Sequence, residues 1–308
     1  MRGVAAIGAE VAANMQASTA KITDFLLFII PIITHPKCAT LISKSMYTGF
    51  WSEYTILLIA VIFGSIAILP YSLRLLKESK KVQKRKMPMW VLFVLSIFQN
   101  AILFSIAIAL GLILAHQIGI GAPLIDNFLT HSGVNYVISS LLIPLILGLF
   151  GGSALLLMDL KFLPYLPEKL LCTALKTTQW ENFTASFYGG INEELLMRLF
   201  GVSLIAWVLE KIWHTPSNLP TTIDFYIAIF IMSIIFALGH LPALKSLVGD
   251  VSSTLLTRTL ILNGAIGLIC GWVFWHYGIE AAILAHFTAD IVYHVGGTYV
   301  LRMKFKQI

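Results

Sequence analysis

The apolar positions of this chain come in long unbroken blocks, not in the one-sided stripes of a soluble helix or the alternation of a half-buried strand. Residues 54–76, 89–115, 136–158, 184–209, 224–238, 255–277 and 279–301 are runs of mainly Leu, Ile, Val, Phe, Ala and Gly. Most reach the roughly 20 residues that a helix needs to cross a bilayer. They predict seven spans, and an eighth if 25–33 crosses, although that run is short and broken by Pro31. Between the blocks lie a Gly/Pro loop at 119–134, a more polar connection at 159–183 with Lys161, Lys169 and Lys176, and a loop from His214 to Pro220; Pro242 marks a boundary after the fifth block. The fold class that follows is all-α, a polytopic integral membrane helical bundle of seven to eight transmembrane helices. Residues 1–183 supply N-terminal membrane helices and a basic loop, and residues 184–308 supply a core that carries polar motifs, within one continuous membrane domain.

Composition agrees with this pattern. The chain is 58% hydrophobic and 12% charged, against about 25% charged in a soluble domain. The net charge of +6 is concentrated: residues 77–86 hold six cations directly after an apolar run. Beside a span, such a run reads as a cytoplasmic anchor and not as a nucleic-acid site. Alternate threading puts this run, the 159–183 connection and the terminal Arg302, Lys304 and Lys306 on one side, which the positive-inside rule makes cytoplasmic. The N-terminus is also inside if 25–33 crosses. Cys38, Cys172 and Cys270 have neither disulfide-framework nor metal spacing. Asn182-Phe-Thr184 matches a glycosylation sequon whose cytoplasmic placement leaves it unused.

The fourth block is the exception to the apolar rule. It contains Glu193, Glu194 and Arg198, each costing about 3 kcal/mol at the centre of a membrane helix. Facing lipid, the three would oppose insertion by about 8–10 kcal/mol, so they must face protein or a wet cavity. Glu194 and Arg198 stand four apart and can pair, whereas Glu193 is turned about 100° away and lacks a local countercharge. Two later blocks bury more polar groups: Phe236 with His240, and His286 with Asp290, each pair four residues apart on one face. Buried ionisable groups on three helices satisfy one another only by converging. Small residues Gly189, Gly190, Gly264, Gly267 and Gly271 permit close helix approach. His276 and His294 read as interfacial residues near span ends, and His35, His116, His131 and His214 as loop or span-end residues without a role.

Glu193-Glu194-x-x-x-Arg198, then Phe236-x-x-x-His240, then His286-x-x-x-Asp290 resembles, in order and spacing, the three motifs of the CPBP (Abi-like) intramembrane proteases, which include type II CAAX prenyl endopeptidases and bacteriocin-processing relatives. The approach to the last motif, from Gly267 to His286, is similar too. The resemblance implies hydrolysis of a peptide bond in a membrane-associated peptide or protein, prenylated or not, at the bilayer. It implies Glu193 as general base, His240 helping to position and deprotonate the water, and His286 with Asp290 stabilising the oxyanion, with Glu194, Arg198 and Phe236 in support. Prenyl endopeptidases carry Asn where this chain has Asp290; an ionised Asp cannot donate to an oxyanion, so Asp290 is either protonated or does another task, such as orienting His286. No cofactor is expected; zinc is the rival, held by Glu193, His240 and His286 with water in the fourth position. Two other readings stay open: a non-proteolytic regulator of membrane proteins or bacteriocin immunity protein, and a proton-coupled transport path, against which the lack of an inverted repeat speaks. The expected location is a bacterial inner (plasma) membrane, multi-pass, with the site toward the cytoplasm.

Overall fold

The structure, a computed structural model, describes residues 49–78, 89–130, 134–213 and 215–306. The 25–33 run, most of the basic run at 77–86, Cys38, His35, His131 and His214 lie outside the described residues. All described residues belong to one compact unit, Gly49–Ile308, and among them there is helix and no strand. The elements are α1 (Phe50–Ala67), α2 (Leu69–Glu78), α3 (Met89–Gln117), α4 (Pro123–Thr130), α5 (Val134–Phe162), α6 (Glu168–Lys176), α7 (Gln179–Phe187), α8 (Ser203–Trp213), α9 (Thr222–Gly239), α10 (Leu241–Val248), α11 (Ser253–Tyr277), α12 (Ile279–Asp290) and α13 (Gly297–Lys306).

Among the described residues, five helices are long and apolar enough to cross a membrane: Phe50–Arg74, Ile97–Gln117, Ser140–Tyr165, Thr222–Val248 and Ser253–Tyr277. This is an integral membrane bundle, but the count of seven to eight is not reached by that measure. The two missing spans are those that carry Glu193 and His286. Both are continuous helical runs that change winding partway. Between α7 and α8, Tyr188–Glu193 and Leu195–Val202 are π-helical, and between α12 and α13, Ile291–Gly296 is π-helical. Each π segment replaces i→i+4 bonding by i→i+5, so neither run is one uniform α-helix.

Small residues set the closest approaches. A Cβ on Gly148 of α5 would lie 2.5 Å from the Ala285 carbonyl oxygen, and one on Gly152 2.6 Å from that of Ala289. The Gly148-x-x-x-Gly152 face of α5 thus lies directly on α12, beside His286 and Asp290. Gly267 and Gly271 of α11 pack in the same way on Ser233 and Ile229 of α9, whereas Gly264 has nothing within 4 Å of such a position. Gly264 therefore plays no part in the close packing expected of the series.

At one end of the bundle, several chain segments meet around Thr177. Arg302 of α13 donates to the carbonyls of Leu175 (3.1 Å) and Thr177 (2.8 Å), and Arg74 of α2 bonds the Thr177 hydroxyl and reaches Glu181 at 3.0 Å. The basic end of α2, the 159–183 connection and the terminal cations therefore share one end, as the threading requires. Glu181 closes a capping box with Thr178 at the start of α7. Desolvation opposes its charge, but the Thr178 and Arg74 contacts prevail and hold this carboxyl below the ordinary range. The loop before α4 is tied to α12: Ile279 donates to the Gly121 carbonyl (3.0 Å), and Glu280 accepts from the Leu124 (3.0 Å) and Ile125 (2.8 Å) amides.

A second polar cluster joins three helical runs. Arg258 of α11 donates to both Asp159 oxygens of α5 (2.5 and 2.7 Å) and to Tyr293 (3.0 Å), whose hydroxyl in turn donates to Asp159 (2.8 Å). This bidentate pair is partly buried, with Asp159 18% and Arg258 17% exposed. Arg258→Met leaves the Asp159 carboxylate unpaired and is expected to lower stability by about 2–3 kcal/mol, read as a fall in melting temperature of the detergent-solubilised protein. An unchanged melting temperature would contradict a clamping role.

Candidate active site

The run from Gln179 to Trp213 carries the first motif, and its winding is fixed from both sides. Gly189 and Gly190 begin the π turn; a Cβ on Gly190 would lie 2.9 Å from Phe287 Cβ, so this turn lies against α12. On the opposite side, buried Asn192 donates from Nδ2 to the Val61 carbonyl (3.2 Å) and the Ser65 hydroxyl (2.9 Å) of α1. Gly64 leaves room for that carboxamide. The residue before Glu193 is thus tied to one neighbour while the glycines press on another, and between these two anchors the chain opens into π winding, a form that recurs at functional sites.

Glu194 is the junction between the two π segments and is fully buried. Its Oε1 pairs with Arg198 at 2.8 Å, the i,i+4 contact the spacing predicts. The same oxygen accepts from His286 Nδ1 at 2.6 Å, a contact that one-helix geometry could not reveal. Arg198 is completed by the Gly267 carbonyl (3.1 Å from Nη2) and by the Phe236 ring, 4.9 Å from its guanidinium carbon. Phe236 is also edge-on to both imidazoles, 4.7 Å from His240 and 5.8 Å from His286 between ring centroids. It is the wall between the motifs.

Both histidines are held by the same nitrogen. His240 stands at the break between α9 and α10, where Pro242 starts the new helix, and its Nδ1 donates to the Phe236 carbonyl at 2.8 Å. A carbonyl only accepts, so this bond fixes the tautomer. His286 gives Nδ1–H to Glu194. In each ring Nε2 is left for the site. The contacts of Arg198 with Phe236, of Phe236 with His286 and of His286 with Glu194 bring the three motifs together, and Glu193 is within electrostatic reach of His240, His286 and Asp290.

Asp290 lies at the rim of this cluster. Its Oδ1 is 3.7 Å from His286 Nε2 and 3.8 Å from His294 Nε2. A Cβ on Gly189 would meet Asp290 Oδ2 at 2.5 Å and His286 Nε2 at 3.6 Å; that glycine is the floor beneath both side chains. His294, expected at an interface, does expose 51% of its side chain but also faces Asp290. His276 is exposed, stacked on Trp272 at 4.2 Å. Asn182, whose sequon was expected to be idle, is buried and gives both amide hydrogens to the His294 carbonyl (3.0 Å) and Thr298 hydroxyl (2.8 Å).

Asn192, the facing of His294 toward Asp290 and the Asp159–Arg258–Tyr293 cluster were not indicated by the motifs, whereas Gly189 makes the close approach expected of it. A signal existed for the cluster: Asp159 and Arg258 are charges at or inside apolar blocks and need partners. For metal chemistry, His240 and His286 each hold Nδ1 against an acceptor and leave Nε2, the arrangement of zinc-binding histidines. Among the described residues, the donors brought within 4.8 Å of one another are Glu194, Cys270 and His286, not the Glu193, His240 and His286 expected for zinc. There, however, the Glu194 and His286 atoms already bond each other, and the cation alongside is the Arg198 guanidinium.

Glu194→Gln leaves Arg198 as a buried uncompensated charge, and the expected loss is about 3 kcal/mol. Glu193→Gln breaks no such pair and is expected to leave stability within about 1 kcal/mol of wild type or to raise it. Thermal melts of both variants in one detergent check the contrast, and equal losses would refute the division of labour between the two carboxylates.

Residues 177–292 match a family model described as Type II CAAX prenyl endopeptidase Rce1-like. The match spans all three motifs and both ends of their geometry. No curated protein and no solved structure matches the chain.

Proposed function

We propose, from the match of residues 177–292 to the Rce1-like CAAX prenyl endopeptidase family model, that this protein is an intramembrane endopeptidase that cuts a membrane-associated peptide or protein, prenylated or not, with a water activated by Glu193. The observation that carries the reading is the pair of imidazoles tethered through Nδ1 on either side of Phe236, with Asp290 facing His286 and Glu193 within electrostatic reach of all three.

In the proposed reaction Glu193 removes a proton from water while His240 Nε2 holds the water in line. The oxygen attacks the scissile carbonyl carbon. His286, protonated on both nitrogens, gives Nδ1–H to Glu194 and turns Nε2–H to the oxyanion, a fixed donor in a site that excludes bulk water. Glu193 then passes its proton to the amide nitrogen, the C–N bond breaks, and an acid and an amine leave. Asp290, 3.7 Å from Nε2, faces that nitrogen and favours its protonated form electrostatically until the oxyanion takes it over, which suits a carboxylate better than a second oxyanion donor. Arg198, held between Glu194 and Phe236, keeps the charge balance of the interior and touches no substrate. A bound zinc would be held by Glu193, His240 and His286 and would polarise the scissile carbonyl.

The basic end of the bundle lies at the cytoplasmic side in this reading, and a bacterial inner membrane is the setting proposed. Prenylated tails are within the proposed substrate class by family likeness alone. Comparison of peptide termini in membranes from cells carrying wild type, Glu193→Ala and His240→Ala is expected to reveal termini that disappear in both variants. The loss should be at least about a hundredfold, the scale of removing an essential base. Termini that persist unchanged would instead favour a non-proteolytic regulator or immunity protein. Gly189→Ala pushes a methyl group into Asp290 and is expected to cut processing by about tenfold or more, with the protein still folded by its melting profile. Exhaustive chelation of the purified protein is expected to leave cleavage intact; loss restored by zinc would assign the metal reading.

A further inference from the structure

Asp290 is the position where this chain departs from the prenyl endopeptidases, and it does not face His286 alone. One oxygen, Oδ1, stands 3.7 Å from His286 Nε2 on one side and 3.8 Å from His294 Nε2 on the other. His294 comes one π turn after Asp290, on the segment Ile291–Gly296, and three features hold that segment still. Asn182 and Thr298 both donate to the His294 carbonyl, at 3.0 and 2.7 Å. Tyr293, the residue before, is locked into the Asp159–Arg258 pair. Gly152 of α5 packs on the first π residues, where a Cβ would lie 2.9 Å from Val292 Cβ. With its backbone fixed from α7, α11 and α5, the π turn presents the His294 ring to Asp290 while half of that ring stays exposed.

We infer that His294 is a positioning residue for Asp290: with His286 it brackets one carboxylate oxygen, and Asp290 serves as a shared acceptor between an inner imidazole and an outer one. This role rests on the hydrolytic reading of the site. An acceptor between two donors explains why a carboxylate suits a position where a lone oxyanion donor would call for an amide. A carboxylate turned toward His286 from one side only could rotate about its Cβ–Cγ bond; His294, 3.8 Å away on the other side, supplies the second contact that limits this, electrostatically and through one bridging water. Asp290 with its outer histidine thereby sets the orientation of His286 Nε2, in the manner of outer partners that orient metal-bound or catalytic imidazoles.

The test uses the full-length protein in two readouts. In cells, the termini that vanish in Glu193→Ala are followed in His294→Phe, which keeps ring size without a donor, and in His294→Gln, whose amide can still donate. His294→Phe is expected to slow their appearance by about tenfold, His294→Gln to restore it to within about threefold, and His294→Phe to add no further loss in an Asp290→Asn background. In detergent-solubilised protein labelled at histidine nitrogen, Asp290→Asn is expected to move the Nε2 resonance of His294 and to leave that of His276 in place. An unmoved His294 resonance overturns the inference. So does wild-type processing by His294→Phe while Glu193→Ala is inactive, or a Gln variant as impaired as the Phe variant. If wild type and Glu193→Ala yield identical termini, the hydrolytic reading itself falls, and a role for His294 in turnover falls with it.

Discussion

A single carboxylate oxygen, Oε1 of Glu194, forms an ion pair with Arg198 on its own helical run and accepts a hydrogen bond from His286 on another. In an apolar interior no water can satisfy a charge, and unpairing a buried ion costs several kcal/mol. The helices are therefore not at liberty to slide: the carboxylate, the guanidinium and the imidazole must meet or none can be buried. Arg198 extends the constraint to α11 through the Gly267 carbonyl and to α9 through the Phe236 ring. Four helical runs are keyed to one another through this group.

That constraint frees the neighbouring carboxylate. Since Glu194 carries the structural load, Glu193 needs no permanent countercharge and can face the histidines. The π winding is what permits two adjacent glutamates to serve such different neighbours. Asn192 is bonded to α1 and Gly190 is pressed against α12, and the extra residue per turn in the π segments lets Glu194 reach inward without dragging Glu193 away from the cluster. The same device recurs just after Asp290, at the other polar edge of the site.

The outer network has a different character. Asp159, Arg258 and Tyr293 are partly exposed and lie away from Glu193, and they fasten α5 and α11 to the π turn that follows α12. Gly148 and Gly152 bring α5 onto α12 by removing side chains, where the clamp holds it by adding bonds. Packing of small residues and charge pairing thus act on the same helix pair, one by shape and the other by satisfying polar groups that hydrocarbon would penalise.

Much of this was legible in the chain itself. Hydrocarbon tolerates only helices and closed barrels, and unbroken apolar blocks of about 20 residues fit the helix and not the short alternating strand, so the all-helical membrane class is written in the length of the blocks. The i,i+4 spacing fixed the Glu194–Arg198 pair, because a helix makes such neighbours regardless of its surroundings. The penalty on buried charge singled out Glu193, His240, His286 and Asp290 before any coordinates. Contacts between separate helices were beyond reach, since spacing along one helix says nothing of rotation about its axis relative to another. Only the tertiary structure could decide that His286 bonds Glu194, that Asn192 hangs from α1, that Gly189 lies beneath Asp290 and that His294 turns toward the site. It also decided the π winding, which depends on competing anchors from neighbouring helices and leaves no periodic mark in the residues that adopt it.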